Sequence, residues 1–226
     1  MTILPALTTI TKSAWRNKIE EIEKLKLKEI ALFPTCLNLK ERQELYSFLE
    51  KTKVSRIPFV HLRSDMDLGE IEYLVQRYGT QLFNTHTERQ HPMLYDYGKY
   101  KKIIFIENIY LPFDEQEIKE FGGVCVDLSH LENDRLQHED IYKKNVEIIE
   151  KYPIGCSHFS AVKKETHVNE ENQIRYDNHY LDDLKEMDYL KRYPLKYFGS
   201  FSAVELENKI EEQLKIKEYV IKIKKA

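Results

Sequence analysis

Histidine and carboxylate side chains recur in this chain at one kind of place, the ends of short apolar runs. His61 closes the run at 56–62 (RIPFVHL), His86 follows Leu82 to Thr85, and Glu107 ends the run at 103–107 (IIFIE). Asp127 ends Val124 to Asp127 with His130 just beyond, His158 ends Ile154 to His158, and Glu205 and Glu207 close the last run. The starts of these runs carry no histidine. Imidazole and carboxylate donors hold zinc or manganese at about 2.0 to 2.2 Å, and ligands arriving from several strands make a preformed polar cavity. One histidine at a strand end is ordinarily a hydrogen-bonded core residue; a whole set at one end calls for a metal. Arg63 and Arg89 lie two or three residues beyond His61 and His86, where they would meet an anionic substrate, with a surface ion pair as the alternative. His91, His138 and His167 fall in loops or at helix edges and read as surface residues.

The elements that must position these side chains alternate along the whole chain. Runs rich in β-branched residues are followed by amphipathic segments, and no Gly/Ser/Pro-rich linker interrupts them, which argues for one parallel sheet. The first strand is Ile3 to Thr9, and Ser13 caps a helix from Ala14 to Leu27. Glu29 to Pro34 is the second strand; Asn38 and Glu41 form a capping box that opens a helix from Leu39 to Lys51. The third strand leads to a helix from Asp67 to Tyr78, stopped by Gly79, and Leu82 to Thr85 is the fourth strand. The segment from Tyr95 to Lys101 has weak helical character. After the fifth strand come an acidic helix start at Asp114 and a stop at Gly122 and Gly123. Beyond the sixth strand a helix from Ile141 to Lys151 precedes the seventh, followed by a longer loop and a helix from Leu181 to Arg192. The eighth strand spans Tyr197 to Glu205, and the last helix Asn208 to Ile223. Eight strands and eight helical slots predict one α/β domain over residues 1–226, a (β/α)8 barrel with eight parallel strands inside and helices outside, rather than an open doubly wound sheet. Active residues then belong at the C-terminal ends of the strands.

Bulk properties bound the rest. The 226 residues, 42% hydrophobic and 32% charged, can bury the core of one such barrel. No run approaches the roughly 18 to 20 apolar residues of a membrane span, and the N-terminus has no basic segment before a long apolar run, which implies a soluble, cytoplasmic protein and no membrane partner. Cys36, Cys125 and Cys156 read as reduced core thiols. A net charge of −3 gives no general attraction to nucleic acid, and the lysine-rich tail from Lys215 to Lys225 reads as a solvated helix face.

The residues 123 to 130, GVCVDLSH, resemble the strand-six motif of the xylose isomerase-like barrel superfamily, which includes endonuclease IV and many sugar-phosphate isomerases and epimerases. The resemblance implies that Asp127 and His130 bind metal, and Ile106-Glu107-Asn108 is similar to the strand-five motif, implying that role for Glu107. His61, His86 and His158 stand in order where that nuclease has its strand-three, strand-four and strand-seven histidines, and Asp177-Asn178-His179 resembles its Asp-Arg-His, implying Asp177 and His179 as ligands. The last ligand is a strand-eight glutamate; Glu205 is favoured, with Glu207 the alternative in register. Where the nuclease has His-Leu-Asn-Asp, this chain has His158-Phe159-Ser160-Ala161.

Two reactions follow. One is phosphoester hydrolysis at a cluster of up to three zinc ions, with a metal-activated water. The other is isomerisation or epimerisation of a sugar or sugar phosphate at a single manganese, magnesium or zinc ion, with Glu107 and Glu205 as the catalytic acid/base pair. A non-catalytic metal-binding barrel is the third reading. The ligand set favours hydrolysis of a phosphate-bearing substrate; short loops and the overall charge do not point to DNA.

Overall fold

The computed structural model describes residues 1–10, 14–169 and 172–225. Its centre is a closed barrel of eight parallel strands, in the order β1 (Thr2–Thr8), β10 (Phe201–Val204), β7 (Ile154–Phe159), β6 (Val124–Asp127), β5 (Ile104–Glu107), β4 (Leu82–Thr85), β3 (Phe59–His61) and β2 (Ala31–Phe33). Around it lie α1 (Trp15–Lys24), α2 (Leu39–Leu49), α3 (Leu68–Tyr78), α4 (Glu115–Glu120), α5 (Leu128–Gln137), α6 (Glu139–Lys151) and α7 (Ile210–Lys225). The expected α/β barrel is therefore present.

Strand periodicity explains how a barrel so assembled presents its polar residues. Side chains two apart on a strand share a face. Leu4, Ala6, Ala31, Phe33, Phe59, Leu82, Cys125, Cys156 and Ala203 point inward and pack as one buried apolar cluster. Their neighbours Ile3, Leu32, Val60, Phe83, Ile104, Val124 and Val204 point outward and pack with the helices in a second cluster. One pleat further along each strand, the inward positions turn polar: Phe59 gives way to His61, Leu82 to Asn84, Phe105 to Glu107, Cys125 to Asp127, Cys156 to His158 and Ala203 to Glu205. The polar layer thus rests on an apolar floor. Gly155 keeps that floor closed, because a Cβ there would meet the Phe105 ring at 2.3 Å.

Local signals set several boundaries. Asn38 and Glu41 make the expected reciprocal capping box, with Glu41 N–H donating to Asn38 Oδ1 at 3.1 Å and Asn38 N–H to Glu41 Oε2 at 2.9 Å. Asn38→Ala is expected to cost about 1 kcal/mol, a drop in Tm of roughly 2 to 4 °C by calorimetry; an unchanged Tm would show that the box contributes nothing. Gly79 ends α3 in the left-handed conformation (φ 64°). Ser13, expected to cap the first helix, lies outside the described residues.

The structure differs from the sequence expectation in five respects. The eighth strand, expected from Tyr197, starts at Phe201, and Leu195–Phe198 form a 3-10 turn before it. The longer loop after β7 is an antiparallel hairpin, β8 (Ala161–Val168) with β9 (Ile174–Asn178). A further helix, α5, starts directly at the end of β6 and carries His130. The slot between β4 and β5 holds a 3-10 segment, Gly98–Ile103, and the slot expected to hold a helix from Leu181 to Arg192 holds another, Leu184–Arg192, so neither slot carries an α-helix. Cys36 is exposed in the loop after β2, whereas Cys125 and Cys156 are buried, and all three thiols are free. No helix among the described residues is long and apolar enough to cross a membrane.

Candidate metal centre

Glu107 stands at the middle of the polar layer. It is 1% exposed, and its Oε2 lies 3.3 Å from His61 Nε2 and 3.1 Å from His158 Nε2, while Oε1 lies 3.8 Å from His86 Nε2. His61 Nε2 and His86 Nε2 are 3.3 Å apart. On the other side, His158 Nδ1 is 3.4 Å from Asp127 Oδ2 and 2.8 Å from Glu205 Oε2. Among the described residues two groups of donors close enough to hold an ion result, His61 with His86 and Glu107, and Glu107 with Asp127 and His158. Glu107 belongs to both.

The donor set fits divalent ions. Ligand atoms on a tetrahedral ion at about 2.0 to 2.2 Å lie about 3.3 to 3.6 Å from one another, close to the separations found here. Neither ring nitrogen of His158 makes a hydrogen bond despite carboxylate oxygens at 3.1 and 2.8 Å, and the buried Asp127 Oδ2 has no hydrogen-bond partner. These atoms converge without pointing at one another. Charge agrees with geometry: Glu107, Asp127 and Glu205, at most 5% exposed, surround the single imidazole of His158. An excess of buried negative charge is tolerated only when cations compensate it.

The protonation preferences follow from the same crowding. Burial pushes against ionisation of Glu107, but His158 and His86 hold it well below the usual carboxylate range. Burial likewise opposes ionisation of Glu205, and His158 and His179 bring it down to about 2. Burial keeps His86 neutral, with a pKa near 3 against the opposing pull of Glu107. For His158, burial is outweighed by Glu107, Asp127 and Glu205, which raise it well above the ordinary value. Ionised carboxylates and a neutral His86 are the ligand forms.

Side chains beneath and beside these donors fix their positions. Asn84 Nδ2 donates to Glu107 Oε2 at 2.5 Å. Asn108 clamps the Asp127 main chain, donating from Nδ2 to its carbonyl and accepting its N–H, both at 2.9 Å. Asp127 divides its oxygens: Oδ1 accepts Ser129 N–H and His130 N–H at 2.8 Å and Ser129 Oγ at 2.5 Å, capping α5, while Oδ2 faces the site. The Phe33 ring lies 5.6 Å from that of His61 and 5.4 Å from that of His158, an apolar wall under both. Sequence reasoning passed over Asn84 and Asn108; the alternation Leu82, Asn84, His86 and the position directly after Glu107 were the available signals.

The remaining candidates separate. Glu205 reaches His158 Nδ1 at 2.8 Å but belongs to neither donor group among the described residues, whereas Glu207 turns to Lys18 Nζ at 3.0 Å and Thr8 Oγ1 at 2.8 Å, so its charge is already balanced by a buried lysine. His130 Nε2 is 3.4 Å from Asp127 Oδ2, but its Nδ1 meets Arg175 Nη2 and lies 3.3 Å from Asp177 Oδ2. Burial opposes ionisation of Asp177, and His130 and Arg175 hold its carboxyl below the usual range. His179 places Nδ1 3.3 Å from the Glu205 carbonyl. Among the described residues, His130, Asp177 and His179 do not form a donor group of their own. Arg63 donates to Asp65 at 2.8 and 3.2 Å and to the Thr35 carbonyl, and lines a small pocket with His61 and His86; Arg89 is exposed in the loop after β4. His91, expected at the surface, is exposed but brings its ring within 5.0 Å of His86.

Fold and site together define an α/β barrel with buried His, Glu and Asp groups at its C-terminal mouth that could bind metal. No protein-family model and no curated protein matches the chain.

Proposed function

We propose that this chain is a divalent-metal-dependent phosphoester hydrolase of the xylose isomerase-like barrel class, with zinc as its ion. The observation that carries the reading is Glu107, a buried carboxylate shared by two donor groups. A carboxylate between two groups is the arrangement that holds a pair of ions. Such a pair, when bound, lowers the pKa of a shared water and neutralises charge on the phosphoryl oxygens.

The chain's own residues supply the remainder. His61 and His86 complete one side and Asp127 with His158 the other, each anchored on a different strand end. Asn84 and Asn108 orient Glu107 and Asp127, and partners of this kind are worth roughly 10- to 100-fold in metal affinity or activity. Phe33 and the apolar floor exclude bulk water from below, which strengthens electrostatic interactions within the layer. A cavity of about 810 Å³ opens beside the layer, bounded by Tyr110, His130, Arg175 and His179, and matches the size of a small-molecule site.

A second reading has its own support. Glu107 and Glu205 approach opposite nitrogens of His158, at 3.1 and 2.8 Å, which is the flanking placement a sugar or sugar-phosphate isomerase or epimerase with a single manganese, magnesium or zinc ion would use for proton transfer.

Metal content and activity, measured on the same preparation, separate the two. Two zinc ions per chain with chelator-sensitive hydrolysis of an aryl phosphodiester or of abasic-site duplex DNA are expected. One exchangeable ion with interconversion of ketose phosphates would replace the first reading by the second, and a chain that takes up no divalent ion would overturn both. His86→Ala, which touches one donor group only, is expected to lower the zinc count by one while the circular dichroism spectrum is unchanged; an unchanged count would remove His86 from the ligand set.

A further inference from the structure

The ligand roles implied for His130, Asp177 and His179 would make a third ion position beside the two donor groups, but a protein cation already stands there. Arg175 and Asp177 are two apart on β9, share its inner face, and are 4% and 6% exposed. The hairpin is tied down by Tyr176 N–H, which donates to Asn133 Oδ1 of α5 at 2.8 Å, so the guanidinium is delivered from a braced strand. Arg175 Nε donates to Asp177 Oδ1 at 2.9 Å, and Nη2 meets His130 Nδ1. The Tyr110 ring lies against the guanidinium, 4.6 Å from its carbon, a cation–π contact.

These contacts consume the donors a cation would need. A guanidinium has no acceptor and stays protonated, so its N–H groups can only donate. His130 has both ring nitrogens engaged, Nδ1 by Arg175 Nη2 and by Asp177 Oδ2 at 3.3 Å, and Nε2 by Asp127 Oδ2 at 3.4 Å. Neither nitrogen is left to turn to an ion. Asp177 gives Oδ1 to Arg175, and its Oδ2 lies 3.3 Å from His130 Nδ1. A divalent ion would also have to sit next to a fixed positive charge in a buried setting, where like-charge repulsion is least screened.

We infer that Arg175 is a built-in cation in place of a third divalent ion, so that this barrel mouth takes two ions. The inference deepens the phosphoester reading and rests on it. Unlike an ion, this charge does not exchange or leave with a chelator, and it lines the 810 Å³ cavity together with Tyr110 and His179.

The test counts zinc. Chains equilibrated with excess Zn²⁺ and freed of unbound ion are expected to carry two per chain in the wild type, three in Arg175→Ala, and two in Arg175→Lys, which keeps the charge. Adding Asp177→Ala to Arg175→Ala is expected to return the count to two. Three ions in the wild type would overturn the inference whether or not the alanine variant folds, and so would two in a folded Arg175→Ala. A wild type that takes no zinc would instead remove the metal reading beneath it, an outcome distinct from either.

Discussion

Glu107→Ala is expected to empty both donor groups in a single step. Its carboxylate lies within 3.3 Å of His61 Nε2 and 3.1 Å of His158 Nε2, and it is the one residue common to the two groups. Without it, His61 and His86 form a bare imidazole pair on one side, and Asp127 with His158 remain on the other, each short of the three protein ligands that hold a catalytic zinc. Loss of partners that merely orient a ligand costs about 10- to 100-fold, so loss of a shared ligand should lower kcat/KM by more than about 100-fold. Zinc content, read by mass spectrometry, should fall from two per chain to below one. The barrel should survive, because Glu107 is held by side chains and its strand is paired on both sides through the main chain. A Glu107→Ala chain that still carried two ions would show that the groups do not share this carboxylate. The contrast with His86→Ala, expected to lose one ion, distinguishes a shared ligand from an ordinary one.

The sequence displays most of this layer because a strand repeats every two residues while the barrel reads only one of its faces. His61, Glu107, Asp127, His158 and Glu205 each stand two residues beyond an inward apolar side chain, so the alternation that fills the barrel also announces what caps the filling. The ambiguity between Glu205 and Glu207 has the same origin. Both are separated from Ala203 by an even number of residues, and only a long-range partner, Lys18 on α1, decides that Glu207 belongs elsewhere. Arg175 was hidden for a different reason. Its partners, His130 and Tyr110, are contributed by distant parts of the chain, and the strand carrying it crosses the mouth in a hairpin that the loop-like composition around Asn169 and Asn172 concealed.

Asp127 provides the most discriminating second case, because its two oxygens have different tasks. Oδ1 caps α5 through Ser129 and His130, and Oδ2, free of hydrogen bonds, faces His158 in the second donor group. Asparagine is as good an N-cap as aspartate, so Asp127→Asn keeps an acceptor for the helix and replaces the site-facing oxygen with an amide nitrogen that cannot bind a cation. Asp127→Ala removes both functions. Both variants lose the same charge, and comparing them with each other cancels that effect on stability. Activity is expected to fall by more than about 100-fold in either. Stability should differ, with the alanine chain less stable than the asparagine chain by about 0.5 to 2 kcal/mol in urea unfolding with chelator present. Equal stabilities would mean that the backbone of α5 finds its partners without Oδ1. Retention of full zinc and activity in Asp127→Asn would mean that Oδ2, for all its burial and convergence on His158, is not a ligand, and the second donor group would then reduce to Glu107 and His158.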